Sequence, residues 1–303
     1  GGMAEAPVQL RVFRLPAGAP PLAADGWQMT DPGGAWSRCH PFDQRPNRWV
    51  ATDGSRAYLA DDVGRLYVAG LASPGEPKLL GSVALRSSDG AKSAILGMVT
   101  ADGRLVASSK SRLHVLEADD TGAIAELGSA EDPNRSLPTV LGRVGDLILR
   151  YDGLTLALFD ISEPTKPRSD GVLTVASSVP NGRRPAIAAG GQVALTSSSE
   201  DADIQTVSLV DRQSRWRLST LALPEGQVYD IAIRGATAVV AAGSAGIWVL
   251  DISDPRRVRP VAHHAVAGTA MDVELAGDRI YVAAADGGLA VFRYPPLTQI
   301  YLP

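Results

Sequence analysis

The sequence predicts an all-β chain, a single-domain β-propeller of four-stranded blades, and three observations carry that prediction. The first is an internal repeat. The run Gly246-Ile-Trp-Val-Leu-Asp-Ile-Ser-Asp-Pro255 is matched by Leu154-Thr-Leu-Ala-Leu-Phe-Asp-Ile-Ser-Glu-Pro164, and more weakly by segments ending near Gly70, Glu117, Asp211 and Arg293. In chain order these markers lie 47, 43, 51, 40 and 42 residues apart. A period of about 40–45 residues filled with short strands is that of one propeller blade. The second observation is that strand-like runs bounded by Gly, Asp and Asn turns fill each period and leave no room for a capped helix. The third is composition. Aromatic residues make up only 5% of the chain, against 31 Gly and 21 Pro in 303 residues, the profile of a β-rich protein with many tight turns.

The elements follow in order. The N-terminal run Val8–Leu15 resembles Leu289–Tyr294 and reads as an outer-type strand. A ring closes well when one terminus supplies an outer strand to a blade built by the other, because this removes an exposed edge. Residues 1–46 are therefore expected to be a closing strand and a long strap loop, and residues 47–303 the blades. Inner-strand pairs are expected at Trp49–Thr52 with Ala57–Ala60, Leu96–Thr100 with Leu105–Ser108, and Thr139–Leu141 with Leu147–Leu149. Three more fall at Ala186–Ala188 with Val193–Thr196, Val228–Ile233 with Ala238–Ala242, and Ala270–Leu275 with Ile280–Ala284. Six pairs make six blades. The alternative, a seventh built from residues 8–30 and 297–302, would lack an inner pair.

Charge and cysteine content exclude several function classes. Twenty-nine Lys and Arg against 33 Asp and Glu give a net charge of −4, which lacks the basic excess of a general nucleic-acid binder. A single Cys excludes an internal disulfide and any zinc site built on several thiolates. No apolar run reaches the roughly 18–20 residues of a membrane span. The opening Gly1-Gly2-Met3 reads as an added tag, and no basic-then-apolar leader follows it. Ala4–Pro7 suits the start of an exported mature chain as well as a cytosolic one.

The repeated Asp-Ile-Ser-x-Pro has a structural reading. Asp160 and Asp251 each end a strand, where a carboxylate accepts the backbone N–H two residues on. Proline cannot donate to a ladder and fits where the chain leaves that strand for an outer one. On these residues the chain resembles the LVIVD-repeat family of bacterial and archaeal propellers. Two units match well, around Asp160 and Asp251; a third keeps Tyr281-Val-Ala and Gly287-Gly-Leu but has Arg293 in place of Asp; three are degenerate. The resemblance implies a propeller, often exported or attached to the cell surface. It implies no common catalytic motif.

Propeller sites usually gather on loops at one mouth of the channel, here expected at 30–48, 86–94, 130–138, 177–185, 223–228 and 264–270. The first loop is the most unusual, joining Trp36, Cys39, His40 and Asp43 in a Pro-rich strap that ends at Arg48. Neighbours in an extended strap rarely converge, so a plug is favoured over a Cys–His catalytic pair. Arg135, Arg183 and Arg184 fall on mouth loops, with the donors to hold a carboxylate or phosphate. Asp230 and Asp272 occupy equivalent innermost-strand positions whose counterparts are Trp49, Gly97, Thr139 and Pro185, so a symmetric ring of carboxylates is absent. His263 and His264 are adjacent on an outer strand and should face opposite ways. The acidic run Glu200–Asp203 lacks the Gly and terminal Glu of a calcium loop and reads as a solvated hairpin.

The chain has no Gly-x-Ser-x-Gly, His-Glu-x-x-His, phosphate loop or dinucleotide fingerprint. The sequence is thus read as a non-catalytic binding or scaffold protein, with no catalytic residue, resident metal or cofactor. It is expected to take a protein or small ligand on its loop face, in the periplasm or at the cell surface, with the cytoplasm as the alternative. The competing reading is a metal-dependent, lactonase-like hydrolase using Asp230, Asp272 and the Cys39–His40 loop at the channel mouth.

Overall fold

A computed structural model describes residues 49–293 except 54, 61–63, 72–77, 87–89, 91–92, 133–138, 176–184, 198–202, 211–216 and 277–278, together with four short strands before residue 49. The chain forms two compact units, residues 1–133 and 134–303. Among the described residues, helix is limited to one 3-10 turn at Ala285–Gly287.

In the first unit, β1 (Gln9–Leu10) pairs with β4 (Trp27–Gln28), and β2 (Phe13–Arg14) with β3 (Leu22–Ala23). One four-stranded antiparallel blade follows in β5 (Trp49–Thr52), β6 (Arg56–Ala60), β7 (Arg65–Gly70) and β8 (Lys78–Ala84). A second comprises β9 (Ile95–Ala101), β10 (Arg104–Ser109), β11 (Arg112–Ala118) and β12 (Ile124–Glu131). The second unit opens with β13 (Val140–Val144), β14 (Leu147–Tyr151), β15 (Thr155–Asp160) and β16 (Arg168–Thr174). Its next blade is β17 (Ala186–Gly190), β18 (Val193–Ser197), β19 (Asp203–Ser208) and β20 (Arg217–Ala222). The fifth is β21 (Asp230–Arg234), β22 (Thr237–Ala241), β23 (Ile247–Asp251) and β24 (Arg259–His264). The sixth sheet has three strands, β25 (Asp272–Ala276), β26 (Arg279–Ala283) and β27 (Leu289–Arg293). An N-terminal strand was expected to complete this last sheet. The described strands before residue 49 pair with one another, and Val8, Arg11, Val12 and Leu15 of the expected closing strand lie outside the described residues.

Where a blade is packed between two others of its unit, its middle strands are buried on both faces. Along β22, Ala238 and Val240 join a cluster with Leu195, Ile204 and Leu250. The alternate residues Val239 and Ala241 join another with Val273 and Val282. Alternation thus sorts side chains between two blades rather than between core and water, and the run Thr237–Ala241 is buried throughout.

The pairing register corrects one marker of the repeat. Asp160 and Asp251 stand opposite Leu147 and Thr237, the first residues of their second strands. The residue in that place on β19 is Ser208, opposite Val193, so the marker expected at Asp211 moves back three positions. The gaps on either side of it, 51 and 40 residues when measured to Asp211, become 48 and 43.

All five four-stranded blades carry a register shift between third and fourth strands, at Val68/Ala69, Val115/Leu116, Ala157/Phe159, Thr206/Val207 and Val249/Leu250. A bulge there bends the outer strand and increases local twist, which suits a blade whose outer edge must splay from its inner one. The glycine that opens the repeat is fixed by the hairpin between second and third strands. Gly246 has φ +84°, and an added Cβ would lie 2.3 Å from the carbonyl oxygen of His264. Gly288 holds the same hairpin position in the sixth sheet and shares the positive φ, at +74°, without the close contact.

Candidate functional site

The repeated aspartates are bound into turns. Asp160 Oδ1 accepts the N–H of Ser162 at 2.9 Å. Asp251 Oδ1 accepts the N–H of Ser253 at 3.0 Å and its hydroxyl at 2.6 Å, and these bonds hold both carboxyls below their ordinary range. The outer strand is anchored to the same carboxylate: Arg259 donates to Asp251 Oδ2 through Nε at 3.2 Å and Nη2 at 3.0 Å. Arg168 stands 3.7 Å from Asp160 in the equivalent place. On the fourth blade Ser208 substitutes, its hydroxyl accepting the N–H of Val210 at 3.3 Å. Asp251→Ala removes the turn and the anchor together and is expected to cost about 1–2 kcal/mol. Urea unfolding would register it; an unchanged midpoint would show that the turn holds itself.

Of the ten residues expected to form the loop-face site and the strap, only Asp230 and Asp272 lie among those described. Trp36, Cys39, His40, Asp43, Arg48, Arg135, Arg183 and Arg184 lie outside them. Asp230 and Asp272 open β21 and β25 at matching register, opposite Ala241 and Ala283. Their true counterparts on two other blades are Val140 and Ala186, opposite Tyr151 and Ser197, one residue beyond the expected Thr139 and Pro185. Neither is acidic.

Asp230 is partly buried, and its Oδ2 accepts the N–H of Val273 at 3.0 Å, tying one innermost strand to the next. Beside it, Gly243 and Ala270 exchange two backbone bonds of 3.1 and 2.9 Å. Burial first, and then the charges of Asp272 and Glu274, push the Asp230 carboxyl up to about 7, against the pull of the Val273 bond. Glu274 is raised in the same way, by burial and then by Asp272. The carboxyl thus works as a strand-to-strand link. Among the described residues no three His, Cys, Asp or Glu side chains gather closely enough to hold a metal ion.

His263 and His264 diverge as alternation requires. His263 stacks on Trp248, ring centroids 4.3 Å apart, while His264 meets Phe292 at 5.5 Å. Glu225 approaches His263 Nε2 at 3.7 Å, and its carbonyl accepts the Trp248 indole N–H at 3.2 Å.

Two polar groups escaped the sequence reading. Arg150 and Asp152 are fully buried, 3.6 Å apart, in the third blade. In the second blade the buried His114 ring contacts Ser109 Oγ at 3.0 Å through Nε2 and Glu126 Oε1 at 3.3 Å through Nδ1. The available signal was position: a middle strand has two packed faces, so a polar residue near its centre, such as His114 or Arg150, is covered whichever way it points.

Comparison with known proteins agrees with this architecture. The LVIVD repeat model matches residues 225–258 and 267–292. No curated protein sequence matches the chain. Among solved structures, a chain of the mitotic checkpoint complex superposes with a TM-score of 0.65 at 13% identity, covering 96% of this chain and 83% of that one. Saccharomyces cerevisiae Sqt1 gives 0.60 at 10% identity, with 94% and 90% covered. The computationally designed Ika8 protein gives 0.55 at 17%, with 80% and 70% covered. At such identities the likeness is one of fold, and that fold is the β-propeller.

Proposed function

This chain is a β-propeller that carries LVIVD repeats, and from that premise we propose that it is a non-catalytic binding and scaffold protein of the cell envelope, holding a protein or small ligand on its loop face. One observation carries the reading. The residues that the repeat preserves are spent on shape: Asp160 and Asp251 close turns, and Gly246 fits a hairpin that has no room for a side chain. Asp230, the acid best placed for chemistry, is engaged in a strand-to-strand bond. A propeller whose repeats maintain a frame leaves specificity to the loops between them, as binding scaffolds do. One of the similar structures is, by its description, part of a multiprotein complex.

The test has two arms. Purified protein would be assayed on a panel of lactones and esters with and without added Ca²⁺, Mn²⁺ and Zn²⁺, with no turnover above buffer expected. Metal-dependent turnover lost in Asp230→Asn would establish the hydrolase reading instead. Cell fractionation and in-cell cross-linking should place the chain in the envelope fraction with one reproducible partner. Recovery in the cytosolic fraction would overturn the location.

A further inference from the structure

The fifth blade and the sixth sheet carry opposite charge at their two ends. The mouth-side segments 223–230, 241–248, 262–274 and 283–290 contain Glu225, Asp230, Asp272, Glu274 and Asp286 and no Lys or Arg. At the opposite end, the base, the last rung of the fifth blade runs Arg234, Thr237, Asp251 and Arg259 across its four strands. The last rung of the sixth sheet runs Ala276, Arg279 and Arg293. Where the third and fifth blades set Asp160 opposite Leu147 and Asp251 opposite Thr237, the sixth sheet thus sets one arginine opposite another.

Two further arginines, Arg256 and Arg257, stand exposed on the turn between β23 and β24. That turn is held in place. Asp254 Oδ1 accepts the Arg256 N–H at 3.0 Å, and the Asp254 carbonyl accepts the Arg257 N–H at 2.8 Å. From the fourth blade, the Ser219 hydroxyl donates to the Pro255 carbonyl at 2.8 Å. A turn fixed in this way loses little backbone freedom when it binds. Of the acids at this end, Asp251 and Asp254 are engaged in turns, and Asp278 lies outside the described residues. The fourth blade adds an apolar tip on the same side. In the turn place of Ser162 and Ser253 it has Val210, 65% exposed, with its N–H held by Ser208.

We propose that the base of the fourth to sixth sheets docks on a membrane surface rich in anionic phospholipids. Guanidinium forks match the phosphate groups of such a surface. An exposed valine among basic turns suits the boundary between headgroups and acyl chains, whereas a nucleic-acid backbone offers it no apolar partner. The charges also set orientation, because an anionic surface attracts the base and repels the acidic mouth. The mouth loops of these sheets then point away from the membrane and stay open to a partner. This goes beyond the envelope location proposed above. Its test uses purified protein, so vesicle binding and cell fractionation can fail separately.

Flotation of the full chain with vesicles of phosphatidylcholine, alone or with about 30% phosphatidylglycerol, tests the docking. Binding is expected on the mixed vesicles and not on the neutral ones. It should be lost as NaCl rises from about 0.05 to about 0.5 M, because salt shortens the reach of surface charge. A basic residue near an anionic surface contributes about fivefold in affinity, so Arg256→Gln with Arg257→Gln should weaken binding about 25-fold. Arg86→Gln with Lys110→Gln makes an equal change of charge at exposed positions of the first unit and should leave binding unchanged. Should the turn variant fail to fold, Arg234→Gln replaces it, with about a fivefold loss expected. Absence of flotation with the mixed vesicles, equal binding to the neutral ones, or equal losses in the two double variants would overturn the docking surface. Tighter binding to short duplex DNA at the same salt would make the base a nucleic-acid surface instead. Salt-sensitive self-association without vesicle binding would assign it to the acidic mouth of a second copy.

Discussion

Asp152→Ala is expected to destabilise the second unit by about 3–5 kcal/mol, the usual cost of breaking a buried ion pair from one side. Asp152 follows directly after β14 with no exposed side-chain surface, and three bonds converge on it. Its Oδ1 accepts the N–H groups of Leu154 at 2.9 Å and Thr155 at 2.6 Å, and its Oδ2 accepts the Thr155 hydroxyl at 2.8 Å. The same Oδ2 stands 3.6 Å from the fully buried guanidinium of Arg150. Alanine removes the turn acceptor and strips Arg150 of this counter-charge in a place that water does not reach. A matched control is Asp119, which accepts the N–H groups of Thr121 and Ala123 at 2.9 Å in an exposed hairpin. The chemistry is the same, but water replaces the lost carboxylate there, so Asp119→Ala should lower the urea midpoint far less. Asp152→Asn keeps one acceptor oxygen for the Leu154 and Thr155 N–H groups but loses the charge and the second acceptor, and should fall between the two. Equal losses at Asp152 and Asp119 would show that burial adds nothing and would sink the argument.

The contrast between these aspartates also marks how far the sequence could be read. Turn chemistry is local, so Asp160 and Asp251 were legible from Ser162 and Ser253 two residues on, and the structure places their bonds there. Period and strand order were legible for a related reason, since each blade repeats the pattern of the one before. Register was less so. Asp211 looked like a marker by residue type, but pairing with Val193 assigns that place to Ser208, because a strand can gain or lose residues in a loop without altering its composition. The bulges were not legible: the unpaired Leu80 and Leu127 are ordinary leucines whose place depends on what lies across the ladder. His114 passed as one residue of a strand run, because its partners Ser109 and Glu126 come from two other strands. Nor could the bond from Val273 to Asp230 be foreseen, since it joins strands 43 residues apart that share no backbone ladder.

That same bond sets up a second large effect, one that depends on pH. Folded Asp230 keeps its proton up to about pH 7, whereas the ordinary carboxyl value is 3.8. Between those values the folded chain binds a proton that the unfolded chain has released. The associated stability is full below 3.8 and is lost as pH rises through 7. Each pKa unit corresponds to about 1.4 kcal/mol, so complete ionisation withdraws at most about 4 kcal/mol, and less where water reaches this partly buried carboxyl. Asp230→Asn supplies a neutral group of nearly the same shape whose oxygen can still accept the Val273 N–H. The margin of the variant over wild type should grow by about 2 kcal/mol between pH 5 and pH 8.5, because only the wild type must then place a third negative charge beside Asp272 and Glu274. Asp230→Ala separates charge from bond: it relieves the repulsion but leaves the Val273 N–H without this acceptor, and should fall below Asp230→Asn at both pH values. Paired urea titrations at pH 5 and 8.5 give the result directly. A difference between Asp230→Asn and wild type that does not grow with pH would mean the carboxyl is already ionised at pH 5 in the fold. The Val273 bond would then outweigh burial and repulsion together, and Asp230 would serve the fold as a charged link.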